Sequence, residues 1–177
     1  QDIASIQKTI ANLSEANFIK AVNKLAKSDY VLISGQRLSF SAASWLSFTL
    51  RLVRDDVHLY KQDTDDIFLI LSKLTENSVF VAISFHRYVK ETLKITEMAK
   101  QAGAYVIAIT DSELAPIKEF ADLLLPVSKT RTSTIDAAPV LFSLCNALVA
   151  GVSIQDEERF TQRKAIYDSF HNEDFFL

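Results

Sequence analysis

Five short apolar runs alternate along the chain with stretches in which apolar residues recur every three or four positions. The runs have the length of buried strands and cover residues 30–34, 57–60, 79–84, 105–110 and 123–125. They are continuously apolar and do not alternate with polar residues, which is typical of strands in a parallel sheet covered on both faces. The sequence therefore predicts a buried parallel sheet.

Helical periodicity precedes, separates and follows these runs. Two N-terminal helices, with Ser14 as a cap between them, are predicted from the stripes Ile3-Ile6-Ile10-Leu13 and Phe18-Val22-Leu25. Gly103 is a good C-terminal stop for the helix before it. Further helices are predicted over residues 39–54, 63–74, from after 84 to about 101, near 116, from about 135 to 152, and over 156–168. This alternation predicts an α/β fold, a three-layer α/β/α sandwich.

Length and charge narrow the class of protein. The 177 residues fit one domain with a full-sized core. A net charge of -3, from 19 basic and 22 acidic residues, makes this segment a poor candidate for holding DNA or RNA through phosphate contacts. No run of 18 apolar residues and no secretory signal is visible, so no membrane span is predicted and a cytoplasmic location is expected.

Motifs for metals and cofactors are absent. His58, His86 and His171 are scattered, and a single cysteine gives no ligand spacing, so neither a metal nor a cofactor is predicted. Cys145 lies in an apolar run and is interpreted as a buried small hydrophobe. The dinucleotide fingerprint G-x-G-x-x-G is absent, because Arg37 stands at its second glycine position.

Three turns are candidates for a ligand site, because ligands of parallel α/β sheets bind beyond the carboxyl ends of the strands. In the first, Gly35 permits a tight exit from the strand. Ser39 and Ser41 place hydroxyls at a helix start, where free backbone N–H groups favour an anion. Arg37 adds a positive charge able to make a forked contact with phosphate or carboxylate. The alternative is that the serines merely cap the helix.

The second turn begins at Ser84 and places His86, Arg87 and Lys90 at the start of a helix. Cations are disfavoured at a helix N-terminus, so a bound anion would account for the cluster. The alternative is pairing with local carboxylates such as those of Glu91 or Asp111. A catalytic role for the histidine is not expected, because no nucleophile stands beside it in a recognisable motif.

The third turn contains Thr110 and Asp111 at a strand end. The carboxylate of Asp111 could receive a sugar hydroxyl, and it could equally cap the next helix. Taken together, the three turns predict that the chain binds a small anionic metabolite and is not itself a catalyst.

The sequence at these turns resembles a known family. The strongest stretches are AISFHRYVKET at 82–92, AKQAGA at 99–104 and VIAITDS at 106–112. In this order and spacing they resemble the sugar isomerase (SIS) domain, specifically the effector domain of RpiR-type (MurR/RpiR) bacterial transcriptional regulators. The resemblance extends from about residue 18 to residue 170.

The resemblance implies a flavodoxin-like sheet of five parallel strands and a homo-oligomer, a dimer or tetramer that associates through helices. It implies that residues 1–177 form one effector-binding domain, whose helices in residues 1–27 connect to a helix-turn-helix domain absent ahead of this segment. DNA would be contacted only through that domain. The family's ligands are commonly phosphosugars, held by a serine- and threonine-rich loop after the third strand.

The family's phosphate loop is altered in this sequence. The first-loop serine falls on Ser39, and the first serine of the usual Ser-x-Ser-Gly-x-Thr loop falls on Ser84. His86 stands at the second serine, Arg87 at the glycine and Val89 at the threonine. Two phosphate-binding hydroxyls are therefore lost and up to two cationic donors gained. Phosphate could bind through Arg87, and a carboxylate or acidic sugar is equally credible.

Three functions follow from these observations. The leading hypothesis is an effector-sensing, oligomerising domain of a transcriptional regulator that binds a phosphosugar or similar anionic carbohydrate. The alternative is an aldose–ketose phosphosugar isomerase, with Glu91, His86 or Glu158 as the base. A third is a domain kept only for oligomerisation. The apolar tail at 171–177 is expected either to dock into a groove or a partner subunit or to be disordered.

Overall fold

The chain folds into alternating strands and helices. The computed structural model describes residues 2–128 and 137–170. Strands β1 to β5 cover Val31–Gly35, Val57–Leu59, Val79–Ser84, Tyr105–Thr110 and Leu123–Pro126. Helices α1 to α7 cover Asp2–Asn12, Glu15–Lys27, Leu38–Val53, Ile67–Leu71, Lys90–Gln101, Ala138–Gln155 and Glu157–Ser169. A 3-10 turn, Pro116–Glu119, lies between β4 and β5.

All five strands are parallel and form one sheet in the order β2-β1-β3-β4-β5. This confirms the predicted α/β/α sandwich with a five-stranded parallel sheet. The chain runs from β1 outward to β2 and then returns to add β3 on the other side of β1. The winding therefore reverses between β1 and β3, and at such a switch point a crevice opens beyond the carboxyl ends of the strands.

Helices cover both faces of the sheet, because the side chains of each strand alternate between two apolar layers. Ile33, Ile83 and Ile109 belong to the layer that packs against α2, α3 and α6. Leu32 and Phe80 belong to the opposite layer, under α4, α5 and the 3-10 turn. The continuous apolar runs of the sequence are thus strands buried on both sides.

The predicted helix over residues 63–74 is wrong in extent, since α4 has only five residues. Asp66 caps it by accepting from the backbone N–H of Phe68 at 2.9 Å. The preceding Asp65 accepts from the backbone N–H of Lys61 at 2.8 Å. Such side chain–backbone bonds offer the acidic stretch an alternative to helical geometry, so the helix starts late.

The N-terminal helices form as predicted, but the first apolar stripe is divided between core and surface. Ile6 and Leu13 pack against the core. Ile3 and Ile10 are 72% and 69% exposed. Thr9 instead anchors α1, because its Oγ1 accepts from the backbone N–H of residue 128 at 2.9 Å.

The two C-terminal helices agree with the predicted pattern. Helix α6 runs three residues beyond the predicted end at 152, and α7 begins at Glu157 where the pattern placed a start at 156. The predicted start of α6 near residue 135 and the tail at 171–177 lie outside the described residues. Gly103 adopts φ +96° directly after the last residue of α5 and its cap, which confirms the predicted stop.

Within the described ranges, α6 is the one helix long and apolar enough to cross a membrane by length and composition. This is weak evidence for a span, because the core helix of a globular domain meets the same criteria. Its buried residues, including Val140, Leu144 and Leu148, pack in the layer shared with α2 and α3.

Arg54 is a buried cation that joins the ends of α2 and α3. Its side chain is 2% exposed, and its guanidinium donates to the backbone carbonyls of Leu25, Ser28 and Asp55. The first two of these carbonyls lie at the end of α2, where they have no partner within the helix. Burial lowers the pKa of the guanidinium, and the surrounding acceptors compensate for the lost solvent.

Candidate functional site

The carboxyl ends of β1, β3 and β4 lie side by side and bring the three predicted turns to one edge of the sheet. We call this the carboxyl edge. In the register of the sheet, Gly35 lies opposite Ile83, and Ser84 lies opposite Thr110. The nine residues selected from the sequence therefore come from adjacent strand ends, although they do not all face one pocket.

Three buried hydroxyl groups lie on the same face of the sheet at this edge. The residues Ser34, Ser84 and Thr110 are 0%, 3% and 0% exposed. No described residue supplies a hydrogen-bond partner to any of the three hydroxyl oxygens. By strand alternation all three point toward the layer that contains Ala82 and Ala108.

The small alanines keep this part of the face shallow. Ser34 lies level with Ala82, which in turn pairs with Ala108. Ser84 and Thr110 lie two residues further along their strands. A buried hydroxyl without a partner costs about 1–3 kcal/mol. Three of them on one face therefore call for a partner other than the described residues.

The first turn brings β1 and α3 into close approach at Gly35. A Cβ atom at this position would lie 2.7 Å from the backbone oxygen of Ser39, so only glycine fits without a shift of the helix. Arg37 follows at φ 56°, a left-handed conformation that is uncommon for residues with a side chain. Its side chain is exposed.

Ser39 lies near the start of α3, as expected, but neither Ser39 nor Ser41 caps the helix. The cap position is Arg37, which makes no side-chain cap bond, and both serines lie inside the first turn. The backbone N–H of Ser39 donates to Gln36, and that of Phe40 donates to Arg37, each at 3.1 Å. Two backbone N–H groups at the start of α3, where the sequence predicted an anion, are therefore already hydrogen-bonded within the chain. Ser39 is buried, whereas Ser41 is exposed.

A pocket of about 340 Å³ opens between the first turn and the end of β2. Gly35 and Arg37 line it, together with residues that the sequence analysis did not select: Gln36, Phe40, Tyr60, Lys61, Gln62 and Asp63. Strand β2 is β1's outer neighbour, so its carboxyl end also borders the site. The sequence could have indicated these residues, because the rule that ligands bind beyond the carboxyl ends of parallel strands also selects the turn after β2.

Glu91 joins the β2 end to the start of α5. Its carboxylate accepts from the hydroxyl of Tyr60 at 3.2 Å and from Nε2 of Gln62 at 2.7 Å. Burial, followed by the contact with Glu91, raises the pKa of the Tyr60 hydroxyl, so this group remains a donor at neutral pH. The glutamate thus holds two residues of the pocket wall in place.

The second turn is held by Asp111. One carboxylate oxygen accepts from the backbone N–H of His86 at 3.3 Å, and the other accepts from the Tyr88 hydroxyl at 3.0 Å. The sequence left three roles open for Asp111, a cap, a sugar contact and pairing with the basic residues of this turn, and it is the second turn that Asp111 contacts. The imidazole of His86 lies edge-on to the Tyr88 ring, with 5.9 Å between centroids.

The electrostatics of the second turn favour an anion. His86 and Arg87 are exposed, and the start of α5 at Val89 receives no side-chain cap. Uncapped first-turn amides and nearby cations both favour negative charge. Desolvation, then the bond to Asp111, raises the pKa of Tyr88 to about 12, so its hydroxyl stays protonated. Over the described ranges no group of acidic, histidine or cysteine side chains could hold a metal.

A doubly wound α/β sandwich with a polar site at the carboxyl edge defines a class of ligand-binding domain. Within that class, the model of the SIS domain matches residues 24–151. The chain therefore belongs to the SIS domain family, which confirms the resemblance seen at the three turns.

Solved structures share the fold at low sequence identity. The sugar isomerase domain of an RpiR transcription factor from Sphaerobacter thermophilus superposes with a TM-score of 0.87 at 21% identity, over 96% of this chain and 94% of that one. Vibrio vulnificus NanR complexed with ManNAc-6P superposes with a TM-score of 0.82 at 14% sequence identity, over 94% of this chain and 64% of that one. An E. coli CFT073 protein in complex with a sugar phosphate superposes with a TM-score of 0.72 at 21% sequence identity, over 92% of this chain and 91% of that one.

Proposed function

We propose that this chain is the effector-sensing and oligomerising domain of a cytoplasmic bacterial transcriptional regulator. Its effector is a small anionic carbohydrate derivative, a phosphosugar or a sugar acid, bound at the carboxyl edge. DNA is contacted only by a separate N-terminal domain. The observation that carries the proposal is the set of three buried hydroxyls of Ser34, Ser84 and Thr110, to which no described residue supplies a hydrogen-bond partner.

The chemistry of this edge favours a ligand that combines negative charge with hydroxyl groups. Arg37 and Lys61 line the pocket, and Arg87 adds a cation on the neighbouring turn. Guanidinium groups make forked bonds with phosphate and carboxylate alike. A buried hydroxyl can both donate and accept, which suits the hydroxyls of a sugar.

Similar proteins support this ligand class. The NanR structure contains ManNAc-6P and the E. coli CFT073 structure contains a sugar phosphate, and both share this chain's fold. The RpiR domain that shares the fold belongs to a transcription factor. Carried to this chain, these facts favour a phosphorylated ligand and a regulatory role.

An apolar outer face on α3 supports the homo-oligomer. Leu38, Phe48 and Leu52 are exposed, although α3 already buries a second apolar stripe in the core. Trp45 extends this face toward α6, because its Nε1 donates to Asn146 at 2.7 Å and its ring lies 6.2 Å from that of Phe142. Exposed patches of this kind mark interaction surfaces, and we assign this one to a second copy of the chain.

A thermal-shift screen of the purified domain tests the ligand class. The panel contains phosphosugars, sugar acids and inorganic phosphate, each with wild type and Arg87→Ala. A ligand at a hundred times its dissociation constant adds about 2.7 kcal/mol to the free energy of unfolding. We expect a sugar derivative to raise the melting temperature of wild type by several degrees and to lose most of this effect in the variant. No response to any member of the panel would overturn the proposal.

A phosphosugar isomerase is the second candidate, and Glu91 is the observation that favours it. Its carboxylate is held by Tyr60 and Gln62 next to the pocket, where a general base would be needed. Incubation of pure protein with aldose phosphates, followed by detection of ketose phosphates, distinguishes the two functions. Turnover that Glu91→Gln abolishes would establish the enzyme, whereas saturable binding without turnover supports the sensor.

A further inference from the structure

A second pocket lies at the opposite edge of the sheet, where the strands begin. This amino-edge pocket has a volume of about 600 Å³. Its wall is the outer face of α2, and its floor includes Tyr105 at the start of β4 and Val79 at the start of β3. It shares no lining residue with the pocket at the carboxyl edge.

Three lysines of α2 line this pocket. Lys20, Lys24 and Lys27 recur at spacings of four and three, so their side chains share one face of the helix. The ammonium groups of Lys20 and Lys24 lie 5.7 and 4.4 Å from the centroid of the Tyr105 ring. None of the three makes an ion pair with a described acidic residue within 4 Å.

Neither acidic residue of the lining forms an ion pair with the lysines, and the lining carries three lysines against the two carboxylates of Asp29 and Glu76. Both carboxylate oxygens of Asp29 accept from hydroxyls, one from Thr75 at 2.6 Å and the other from Ser78 at 2.8 Å. Those bonds lower the pKa of Asp29, chiefly through Thr75, and commit its oxygens to the turn before β3. Glu76 is exposed on the rim and makes no ion pair with the lysines.

Polar donors complete the lining. The amide side chains of Asn23 and Asn77 border the pocket beside the lysines. The hydroxyl of Tyr105 is buried and has no hydrogen-bond partner among the described residues. Cations in the last turn of a helix are favoured by its dipole, which accounts for Lys24 and Lys27. That effect does not account for Lys20 or for a pocket at this place.

We propose that the amino-edge pocket binds a small anion that carries two or more phosphate or carboxylate groups. Lys20 and Lys27 are about 10 Å apart along the helix axis, from the rise per residue. A linear polyanion matches this separation, whereas a single phosphate group would require both lysine side chains to bend toward each other. The site is independent of the effector site and would give the domain a second, chemically distinct input.

Isothermal titration with inorganic tripolyphosphate, at constant ionic strength, tests the proposal. We expect saturable binding to wild type that weakens at least tenfold in Lys24→Gln, which corresponds to about 1.4 kcal/mol. Orthophosphate should bind at least tenfold more weakly than tripolyphosphate. Lys24 is exposed, so the variant should fold normally, and a melting curve checks this.

Two matched variants locate the binding. Lys8→Gln makes the same charge change on an exposed lysine of α1 outside the pocket, and it should alter the affinity less than twofold. Arg37→Ala alters the carboxyl edge and should also leave the affinity unchanged. Equal losses in Lys8→Gln and Lys24→Gln would show unspecific attraction and overturn the proposal. A loss confined to Arg37→Ala would place the anion at the effector site and overturn it as well.

Discussion

The hydroxyl of Tyr88 donates to a carboxylate oxygen of Asp111 at 3.0 Å, which ties the turn after β3 to the end of β4. The same carboxylate accepts from the backbone N–H of His86. One acidic side chain therefore fixes the turn that presents His86 and Arg87. The positions of His86 and Arg87 depend on a residue for which the sequence left open a sugar contact, a helix cap and pairing with this turn.

The titration of Tyr88 provides a direct test of this contact. Its pKa is raised to about 12 by desolvation and by Asp111, above the ordinary value of 10.0. The unfolded chain loses this proton first, so the group's contribution to stability is complete below pH 10 and is lost as the pH rises toward 12. Tyrosinate absorbance should show a component that titrates above pH 10, and this component should lose the contribution of one tyrosine in Tyr88→Phe and move to lower pH in Asp111→Asn. A Tyr88 that titrates near pH 10 in wild type would contradict the bond.

Removal of an unpaired hydroxyl should separate binding from stability. Ser84→Ala deletes a buried group that has no partner within residues 2–128 and 137–170, so the ligand-free domain should melt at the same temperature or higher. Effector binding should weaken by about tenfold, if one hydrogen bond to a charged ligand is worth about 1.5 kcal/mol. Thermal melts with and without effector measure both effects.

Ser78→Ala is the matched control for that experiment. Ser78 is equally buried, but its hydroxyl donates to Asp29 at 2.8 Å. Its removal should cost about 1–3 kcal/mol of stability and leave effector binding unchanged. If Ser84→Ala destabilises the free domain as much as Ser78→Ala does, Ser84 has a partner within the protein.

Gly35→Ala should disrupt the carboxyl edge through packing. The new Cβ would meet backbone atoms of Ser39, which can move only with the whole start of α3. Overpacking of this kind costs about 1–3 kcal/mol, and the displaced Arg37 should weaken effector binding. Gly151→Ala serves as the comparison, since its Cβ would meet only the side chain of Val22, far from the edge. It should lower the melting temperature without changing affinity.

Replacement of Arg54 should destabilise the domain strongly. In Arg54→Ala the carbonyls of Leu25 and Ser28 lose their donors, at about 1–3 kcal/mol for each buried group. Arg54→Lys should recover only part of this, because an ammonium lacks the forked geometry. Arg51→Ala, on the partly exposed side of α3, is the control and should cost little. Denaturant unfolding measures all three variants, and a loss below about 1 kcal/mol in Arg54→Ala would contradict the assigned role.

The apolar face of α3 predicts self-association. Phe48→Glu places a charge at the centre of this face, where the wild-type side chain is 56% exposed in the single chain. Sedimentation velocity should show a dimer or larger species for wild type and a shift toward monomer for the variant. A wild type that is monomeric at every concentration would contradict the assignment of this face to a second copy.

The layered fold could be predicted from sequence because five continuously apolar runs indicate buried strands and the stretches between them have helical periodicity. The exact start and end of individual helices could not be predicted, because they depend on local hydrogen bonds between side chains and the backbone. The helix near Asp65 and Asp66 was overextended, because aspartate side chains bonded to backbone amides there compete with the helix. Ser39 and Ser41 were placed near the start of α3, where Ser39 lies, but the cap position itself falls on Arg37.

Pairing across the sheet was the main information that the sequence could not supply. The exposure of Ile3 depends on how α1 packs against α6. The lysines on one face of α2 could not be recognised from the net charge of the chain, which is only -3. The bond from Tyr88 to Asp111 joins residues 23 positions apart. Tyr60 and Gln62 become part of the pocket only because β2 lies beside β1.

The three buried hydroxyls at the carboxyl edge, which lack a partner in the described part of the chain, also connect effector supply to protein turnover. A ligand that bonds to Ser34, Ser84 and Thr110 adds its binding free energy to the native state alone. The fraction of molecules open to proteases falls accordingly, since degradation draws on the unfolded population. Cells rich in effector would therefore hold more of this regulator than starved cells with the same rate of synthesis.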